Sequence, residues 1–320
     1  IRPSQLLQSL KELLAQRHRN QVNRGSDGAT IEEPQARHQP GRIVRVLVVE
    51  DNAINQKLAL NQLRKLGYAA DAIDNGPAAL ELMGQRSYAA VLMDCQMPRM
   101  DGYATTAEIR RRESGRRHTI VIAMTACAQA GTREKCFAAG MDDYIAKPVR
   151  LEALEAALAR WIPLTRTASG PDGLSKTAAV WSCESIDPEV MIELLDLSSS
   201  YTSGDFLGEL IDMFYGELAS RLASIREAAS RSQFRQLDDR AHELKGSCLS
   251  LGLARMAALC SQIEALARQG TTEGAQALLG QIEREAGVVQ PLLETERLRA
   301  ARKTHTPQEL SVSSDASIPR

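Results

Sequence analysis

His242 is followed three and four positions later by Lys245 and Gly246, within the stretch RAHELKGSCLSLG at 240–252. Apolar residues recur along this segment at spacings of three and four, which predicts a helix with one face in a core. His242 lies about 100° around the helix from that apolar stripe, so we expect its ring to point toward solvent. The stripe consists of Phe234, Leu237, Ala241, Leu244, Cys248 and Leu251.

This arrangement has a chemical use. A neutral imidazole that solvent can reach is nucleophilic near pH 7, and Lys245 on the same face can hold the oxygens of a phosphohistidine. Gly246 costs about 1 kcal/mol of helix propensity relative to alanine, which indicates that a partner approaches closely there. Helix geometry alone favours an ordinary surface histidine followed by a packing glycine.

A second group of polar residues stands at the ends of predicted strands. Carboxyl ends of parallel strands share one edge of a sheet, so these side chains are expected to lie together. Three carboxylates at one edge repel each other and need a cation, and oxygen ligands with room for water suit Mg²⁺. A carboxylate beside Mg²⁺, a hydroxyl and a lysine can accept a phosphoryl group. The group consists of Glu50, Asp51, Asp94, Thr125 and Lys147.

The elements that must position this second group lie in residues 43–162. Short β-rich runs alternate there with amphipathic helical segments, which predicts a doubly wound α/β domain with a five-stranded parallel sheet. The strand candidates are IVRVLVVE, YAADAI, AAVLMD, TIVIAM and DYIA, and the helix candidates are 54–66, 77–86, 103–112, 129–139 and 150–161.

His242 belongs to a second domain, at 186–302, which contains no convincing strand and is predicted to be an all-α bundle. Polar stretches rich in Gly, Pro and Ser predict linkers at 17–42 and 163–185 and a disordered tail at 303–320. Residues 1–16 resemble the last helix of the α/β domain, which suggests the end of a similar domain upstream.

The strand-end residues stand in motifs that resemble the receiver domain of two-component signalling proteins, which has a flavodoxin-like fold. The motifs are LVVEDNAINQ, VLMDCQMPRMDGYATTAEIR, IAMTA and GMDDYIAKPV. The resemblance implies that Asp94 is the phosphoacceptor, that Thr125 and Lys147 contact the phosphoryl group, and that Tyr144 is the aromatic switch residue. The implied Mg²⁺ ligands are Glu50, Asp51, Asp94 and the backbone carbonyl of Gln96.

The stretch around His242 resembles the histidine phosphotransfer (HPt) domain, with its His-x-Leu-Lys-Gly signature and a later glycine at Gly252. This resemblance implies that the all-α domain is a four-helix bundle. The two resemblances together imply the carboxyl-terminal part of a hybrid sensor histidine kinase. A phosphoryl group would pass from an upstream kinase histidine to Asp94, then to His242 and on to a separate response regulator. The implied location is the cytoplasmic side of a bacterial inner membrane, and the 163–185 linker would let His242 reach Asp94.

Other functions are compatible with parts of the pattern. The α/β domain could control docking of the helical domain without any transfer. An aspartate-nucleophile phosphatase of the haloacid dehalogenase type is disfavoured, because Gln96 stands where that family has a second Asp. The dimerisation domain of a kinase is disfavoured because no proline follows Gly246, and too little chain follows His242 for an ATP-binding domain.

Composition argues against nucleic-acid-binding, disulfide-rich and membrane-spanning proteins. A formal net charge of -1 gives no reason to expect nucleic acid as a partner. The six cysteines form no Cys-x-x-Cys pair, so we expect reduced thiols. No apolar run approaches the roughly 18 residues that a membrane helix needs.

Overall fold

A computed structural model describes residues 44–115, 117–125, 130–162, 185–201 and 204–304. The predicted helix at 1–16 and the first linker lie outside these ranges. The second linker and the carboxyl-terminal tail also lie outside them, apart from a few residues at their edges. The roles predicted for these segments stay predictions.

The α/β domain contains the predicted five-stranded sheet, in the order β2-β1-β3-β4-β5 with every pair parallel. Strand β3 is buried along its whole length, as expected for a strand covered on both faces. The strands are β1 Arg45–Val49, β2 Ala69–Ile73, β3 Ala90–Asp94, β4 Ile120–Thr125 and β5 Asp143–Ala146.

Five helices cover the two faces of this sheet. Helices α1 and α5 pack on one face and α2, α3 and α4 on the other, so the sheet separates two apolar cores. This confirms the predicted doubly wound α/β class. The helices are α1 Ala53–Lys65, α2 Gly76–Gln85, α3 Gly102–Glu113, α4 Ala130–Ala138 and α5 Leu151–Trp161.

Gly102 lets helix α3 begin directly against the end of β3. A Cβ atom at this position would lie 2.1 Å from the backbone oxygen of Asp94, which is an impossible contact. The side chain of Asp101 caps α3 by accepting a hydrogen bond of 2.8 Å from the Ala104 N–H. The Asp-Gly pair therefore sets how closely the loop after β3 returns to the strand end.

The helical domain is the predicted four-helix bundle, with one further helix. Helices α7 to α10 each pack against two neighbours around a single apolar core, and α6 packs against α7 and α10. Gly252 follows α8 with a φ of +71°, a left-handed conformation that favours glycine. The helices are α6 Pro188–Ser199, α7 Phe206–Ser230, α8 Phe234–Ser250, α9 Ala254–Arg268 and α10 Ala275–Thr304.

Helix α1 connects the two domains, which sequence analysis did not predict. Ala59 and Leu63 on one side of α1 pack in the core under the sheet, whereas Ile54 and Leu58 join the core of the helical domain. Ion pairs at the rim, such as Lys57 with Glu209, add polar contacts. The two domains therefore share a packed interface along α1.

Candidate functional site

The predicted acidic residues meet at one edge of the sheet. Glu50 and Asp51 follow β1 and Asp94 ends β3, and these two strands are neighbours. Each of the three residues offers one carboxylate oxygen, and these oxygens lie within 4.8 Å of one another. Glu50 and Asp94 are buried. The sheet thus creates a concentrated negative charge with little water around it.

Lys147, the first residue after β5, lies between two of these carboxylates. Its Nζ is 2.6 Å from Oε2 of Glu50 and 2.8 Å from Oδ2 of Asp94. Burial opposes the charge on Lys147, but the Glu50 and Asp94 carboxylates outweigh burial and raise the pKa of its ammonium group. Lys147 therefore stays a cation at neutral pH and offsets part of the cluster's charge.

One lysine does not neutralise three acids. Burial and the charge of Glu50 raise the pKa of Asp94 to about 8, against the opposing effect of Lys147. Burial and Glu50 also raise the pKa of Asp51 to about 6. These shifts mean that full ionisation is unfavourable until another cation arrives. A cluster of oxygen ligands with this charge fits a hard divalent cation, and Glu50, Asp51 and Asp94 could hold it.

The remaining predicted residues of this domain differ in burial and in what they contact. The backbone N–H of Gln96 donates a hydrogen bond of 3.1 Å to Oδ1 of Asp94. Thr125 is buried at the end of β4, the strand next to β3. Tyr144 is half-buried on β5, and the Arg133 guanidinium lies 5.9 Å from the centroid of its ring.

His242 lies on α8 and outside the apolar core, as predicted, but it is less exposed to solvent than expected. Its side chain is only 18% exposed, because α9 places the buried Glu264 beside it. The Nδ1 atom of His242 lies 2.9 Å from Oε1 of Glu264. Lys245 contacts the same carboxylate, with its Nζ 2.5 Å from Oε1 and 2.6 Å from Oε2.

Glu264 determines which ring nitrogen of His242 is free. Burial alone would raise its pKa, but hydrogen bonds from His242 and Lys245 outweigh burial and lower the pKa of Glu264 to about 2. The ionised carboxylate can only accept, so Nδ1 of His242 must carry a proton. The neutral ring then has its lone pair on Nε2, the atom available for a nucleophilic reaction.

Sequence analysis missed Glu264, although a signal for it exists. The residue stands within the apolar stripe of α9, where its neighbours on the buried face are Cys260, Ile263 and Ala267. A glutamate on a buried helix face is unusual and implies a buried partner.

Residues of both groups, though not Thr125, line one cavity between the domains. Asp94, Glu50 and Lys147 contribute to one wall, and His242, Lys245 and Gly246 contribute to the other. Asp51 and Gln96 also line this cavity. Packing of α1 against the helical domain therefore brings the strand-end carboxylates and the histidine to the same space.

The family model described as "Response regulator receiver domain" matches residues 46–159. The model described as "Hpt domain" matches residues 209–300. The chain contains a receiver domain followed by an Hpt domain. Both resemblances drawn from the motifs are confirmed. The receiver domain contributes the carboxylate wall of the cavity, and the Hpt domain contributes the histidine wall.

Relatives that match more than two thirds of this chain include histidine kinases. The sensor histidine kinase GacS of Pseudomonas protegens is 30% identical over 74% of this chain and 26% of its own length. The signal transduction histidine-protein kinase BarA of Shigella flexneri is 33% identical over 71% of this chain and 24% of its own length. The chain thus spans about a quarter of the length of these relatives.

Solved receiver domains are similar to the first half of the chain. One is the receiver domain of a sensor histidine kinase from Pseudomonas aeruginosa, crystallised with a magnesium ion coordinated in its active site cleft. It is 44% identical and covers 38% of this chain and 100% of its own, with a TM-score of 0.36.

Within the described part of this chain, no helix combines the length and the apolarity needed to cross a membrane.

Proposed function

We propose that this chain moves a phosphoryl group between an aspartate and a histidine in a phosphorelay. Asp94 of the receiver domain accepts the group from the histidine of an upstream kinase, and His242 of the Hpt domain takes it from Asp94. The observation that carries the proposal is the shared cavity, which Asp94 and His242 line from opposite domains.

In the first transfer, the nitrogen–phosphorus bond of the donor phosphohistidine breaks and a bond forms between phosphorus and a carboxylate oxygen of Asp94. The electron pair of the broken bond stays on the donor ring. Lys147 and the hydroxyl of Thr125 stabilise the charge on the phosphoryl oxygens during the step. Mg²⁺, held by Glu50, Asp51, Asp94 and the backbone carbonyl of Gln96, would supply further positive charge when bound.

In the second transfer, the oxygen–phosphorus bond on Asp94 breaks and Nε2 of His242 bonds to phosphorus. The electron pair returns to the Asp94 carboxylate. Nδ1 keeps its proton and its hydrogen bond to Glu264, so the carboxylate offsets the positive charge that the ring acquires. Lys245, which lines the same cavity, would contact the phosphoryl oxygens.

Phosphorylation of Asp94 also changes the receiver surface. It adds about -1.5 to -2 charges, which draw Thr125 inward and let Tyr144 follow. The partners of the relay are an upstream histidine kinase core and a downstream response regulator. We infer that the parent protein is a hybrid sensor histidine kinase whose receiver and Hpt domains lie on the cytoplasmic side of a bacterial inner membrane.

The relay is tested by incubating the chain with a radiolabelled, phosphorylated kinase core and Mg²⁺. The expected result is base-labile label on Asp94 and acid-labile label on His242. Asp94→Asn should abolish both labels, and His242→Gln should abolish only the second. Label on His242 in the Asp94→Asn chain would overturn the proposed order. Label that stays on Asp94 in the wild-type chain would favour a phosphorylation-controlled docking module without transfer.

A further inference from the structure

We propose that Asn55 couples docking of the Hpt domain to binding of Mg²⁺ at the receiver domain. The inference rests on the proposed function, because it concerns the metal that the acidic cluster would hold. The Nδ2 atom of Asn55 donates a hydrogen bond of 2.7 Å to Oε1 of Glu50. The Oδ1 atom of the same side chain accepts one of 2.6 Å from the hydroxyl of Ser250 in the Hpt domain.

The two contacts determine the orientation of the Asn55 amide. A carboxylate only accepts hydrogen bonds, so the amide nitrogen must face Glu50. The amide oxygen must then face the Hpt domain, where only a donor satisfies it, and the Ser250 hydroxyl is that donor. When the Hpt domain leaves, Asn55 loses the partner that holds its amide in this orientation.

Glu50 has little freedom apart from this contact. The residue is 1% exposed, and its second oxygen lies 2.6 Å from Nζ of Lys147. One carboxylate oxygen is thus held by the receiver's own lysine and the other by Asn55. Ser250 is therefore connected to the metal site through one side chain, that of Asn55. This connection helps to hold the Glu50 carboxylate beside those of Asp51 and Asp94.

When the ligand side chains are already held in their binding geometry, ordering them on metal binding costs less free energy. The docked chain should therefore bind Mg²⁺ more tightly. Coupling between two binding events is reciprocal, so Mg²⁺ should also favour the docked state to the same extent. The Hpt domain would then dock most firmly on a receiver domain that is ready for transfer.

The same interface contains a matched pair that lacks this connection. Asn52 donates a hydrogen bond of 2.7 Å to the hydroxyl of Ser247, three residues before Ser250 on α8. The amide oxygen of Asn52 caps α1 by accepting from the backbone N–H groups of Ile54 and Asn55. Removal of the Ser247 hydroxyl should weaken docking without releasing a metal ligand.

The experiment is calorimetric titration of Mg²⁺ into the full chain, compared between Ser250→Ala and Ser247→Ala. One neutral hydrogen bond predicts that Ser250→Ala weakens Mg²⁺ binding by roughly twofold to tenfold. Ser247→Ala should stay within about twofold of the wild type on the same scale. Equal affinities for Ser250→Ala and the wild type, or equal losses in both variants, would overturn the coupling. Thermal unfolding followed by circular dichroism checks that both variants are folded.

A double-mutant cycle keeps the test independent of the behaviour of one variant. Asn55→Ala should weaken Mg²⁺ binding, and adding Ser250→Ala to it should cause no further loss, because the contact is already broken. Additive losses would contradict a pathway through Asn55. A wild-type chain that binds no Mg²⁺ would contradict the proposed function itself, whereas Mg²⁺ binding that ignores Ser250 would contradict only the coupling.

Discussion

His242 and Glu264 form a hydrogen-bonded pair, with Nδ1 of the ring 2.9 Å from Oε1 of the carboxylate. The pair joins α8 to α9 inside the Hpt domain and leaves Nε2 as the ring nitrogen that does not contact the carboxylate. A carboxylate that holds one nitrogen of an imidazole fixes the tautomer and the orientation of the ring, as in metal sites and catalytic triads. We therefore expect the pair to affect both the rate of transfer to His242 and the free energy of unfolding.

The first prediction concerns transfer to the histidine. Glu264→Gln keeps an acceptor near Nδ1 but removes the charge that offsets the phosphorylated ring. We expect transfer from Asp94 to His242 to slow by roughly tenfold to a hundredfold, because the negative charge that stabilises the positive ring during transfer is lost. Phosphorylation of Asp94 by the kinase should not change. Single-turnover labelling separates the two steps, and Glu285→Gln, at another buried glutamate, is the matched control.

The second prediction concerns the pH dependence of stability. Because the pKa of Glu264 in the folded chain is about 2, below its usual value of 4.5, the pair stabilises the fold fully above about pH 4.5. That contribution is lost as pH falls from about 4.5 toward 2. Glu264→Gln should lower the free energy of unfolding by about 1.5–3 kcal/mol at pH 7. Urea titrations at successive pH values should show this difference shrinking toward pH 2, and a constant difference would contradict it.

The third prediction concerns the acidic cluster. The pKa of Asp94 in the folded chain is about 8, above its usual value of 3.8, so stability without metal should fall as pH rises from about 4 through 8. In EDTA at pH 9, Asp94→Asn should therefore raise the free energy of unfolding, by about 1–3 kcal/mol. The variant should gain less stability from added Mg²⁺ than the wild type.

Denaturant titrations in EDTA and in Mg²⁺ measure both quantities. Asp74→Asn, which changes an exposed acid on the same domain, serves as the control. Equal effects of the two substitutions would show that net charge, rather than the crowding of buried carboxylates, explains the result.

The fourth prediction concerns the shared interface. Leu58 of the receiver domain is buried in the core of the Hpt domain, so Leu58→Ala should weaken docking by up to about 2–5 kcal/mol. Transfer within the chain should slow, while labelling of Asp94 by the kinase persists. Leu298→Ala, which truncates an exposed leucine on α10, should leave both rates unchanged. A loss of Asp94 labelling with Leu58→Ala would indicate damage to the receiver fold instead.

The positions of the strand-end residues in the receiver domain were predictable because strand ends in an α/β sheet occupy known places. Once the alternation of strands and helices was recognised, Asp94 and Lys147 had to lie at the same edge. Helix periodicity likewise placed His242 beside the apolar stripe of α8. These inferences need only local patterns and the rules of one fold.

Contacts between elements distant in the chain were not predictable in this way. Glu264 meets His242 across two helices, and Asn55 meets Ser250 across two domains. Helix α1 is apolar on two sides, and its sequence does not say which side faces the sheet and which faces another domain. The partial burial of His242 was not predictable for the same reason, since it depends on what packs over α8.

The docked Hpt domain, which buries Ile54 and Leu58, limits the access of other proteins to Asp94. In the proposed relay, a kinase histidine and His242 both need to approach this carboxylate, and the docked Hpt domain already contributes one wall of its cavity. Loading and unloading of the receiver domain must then alternate, with the Hpt domain as a competitor of the kinase. The dwell time of the docked state would therefore set an upper bound on the signal flux through the chain.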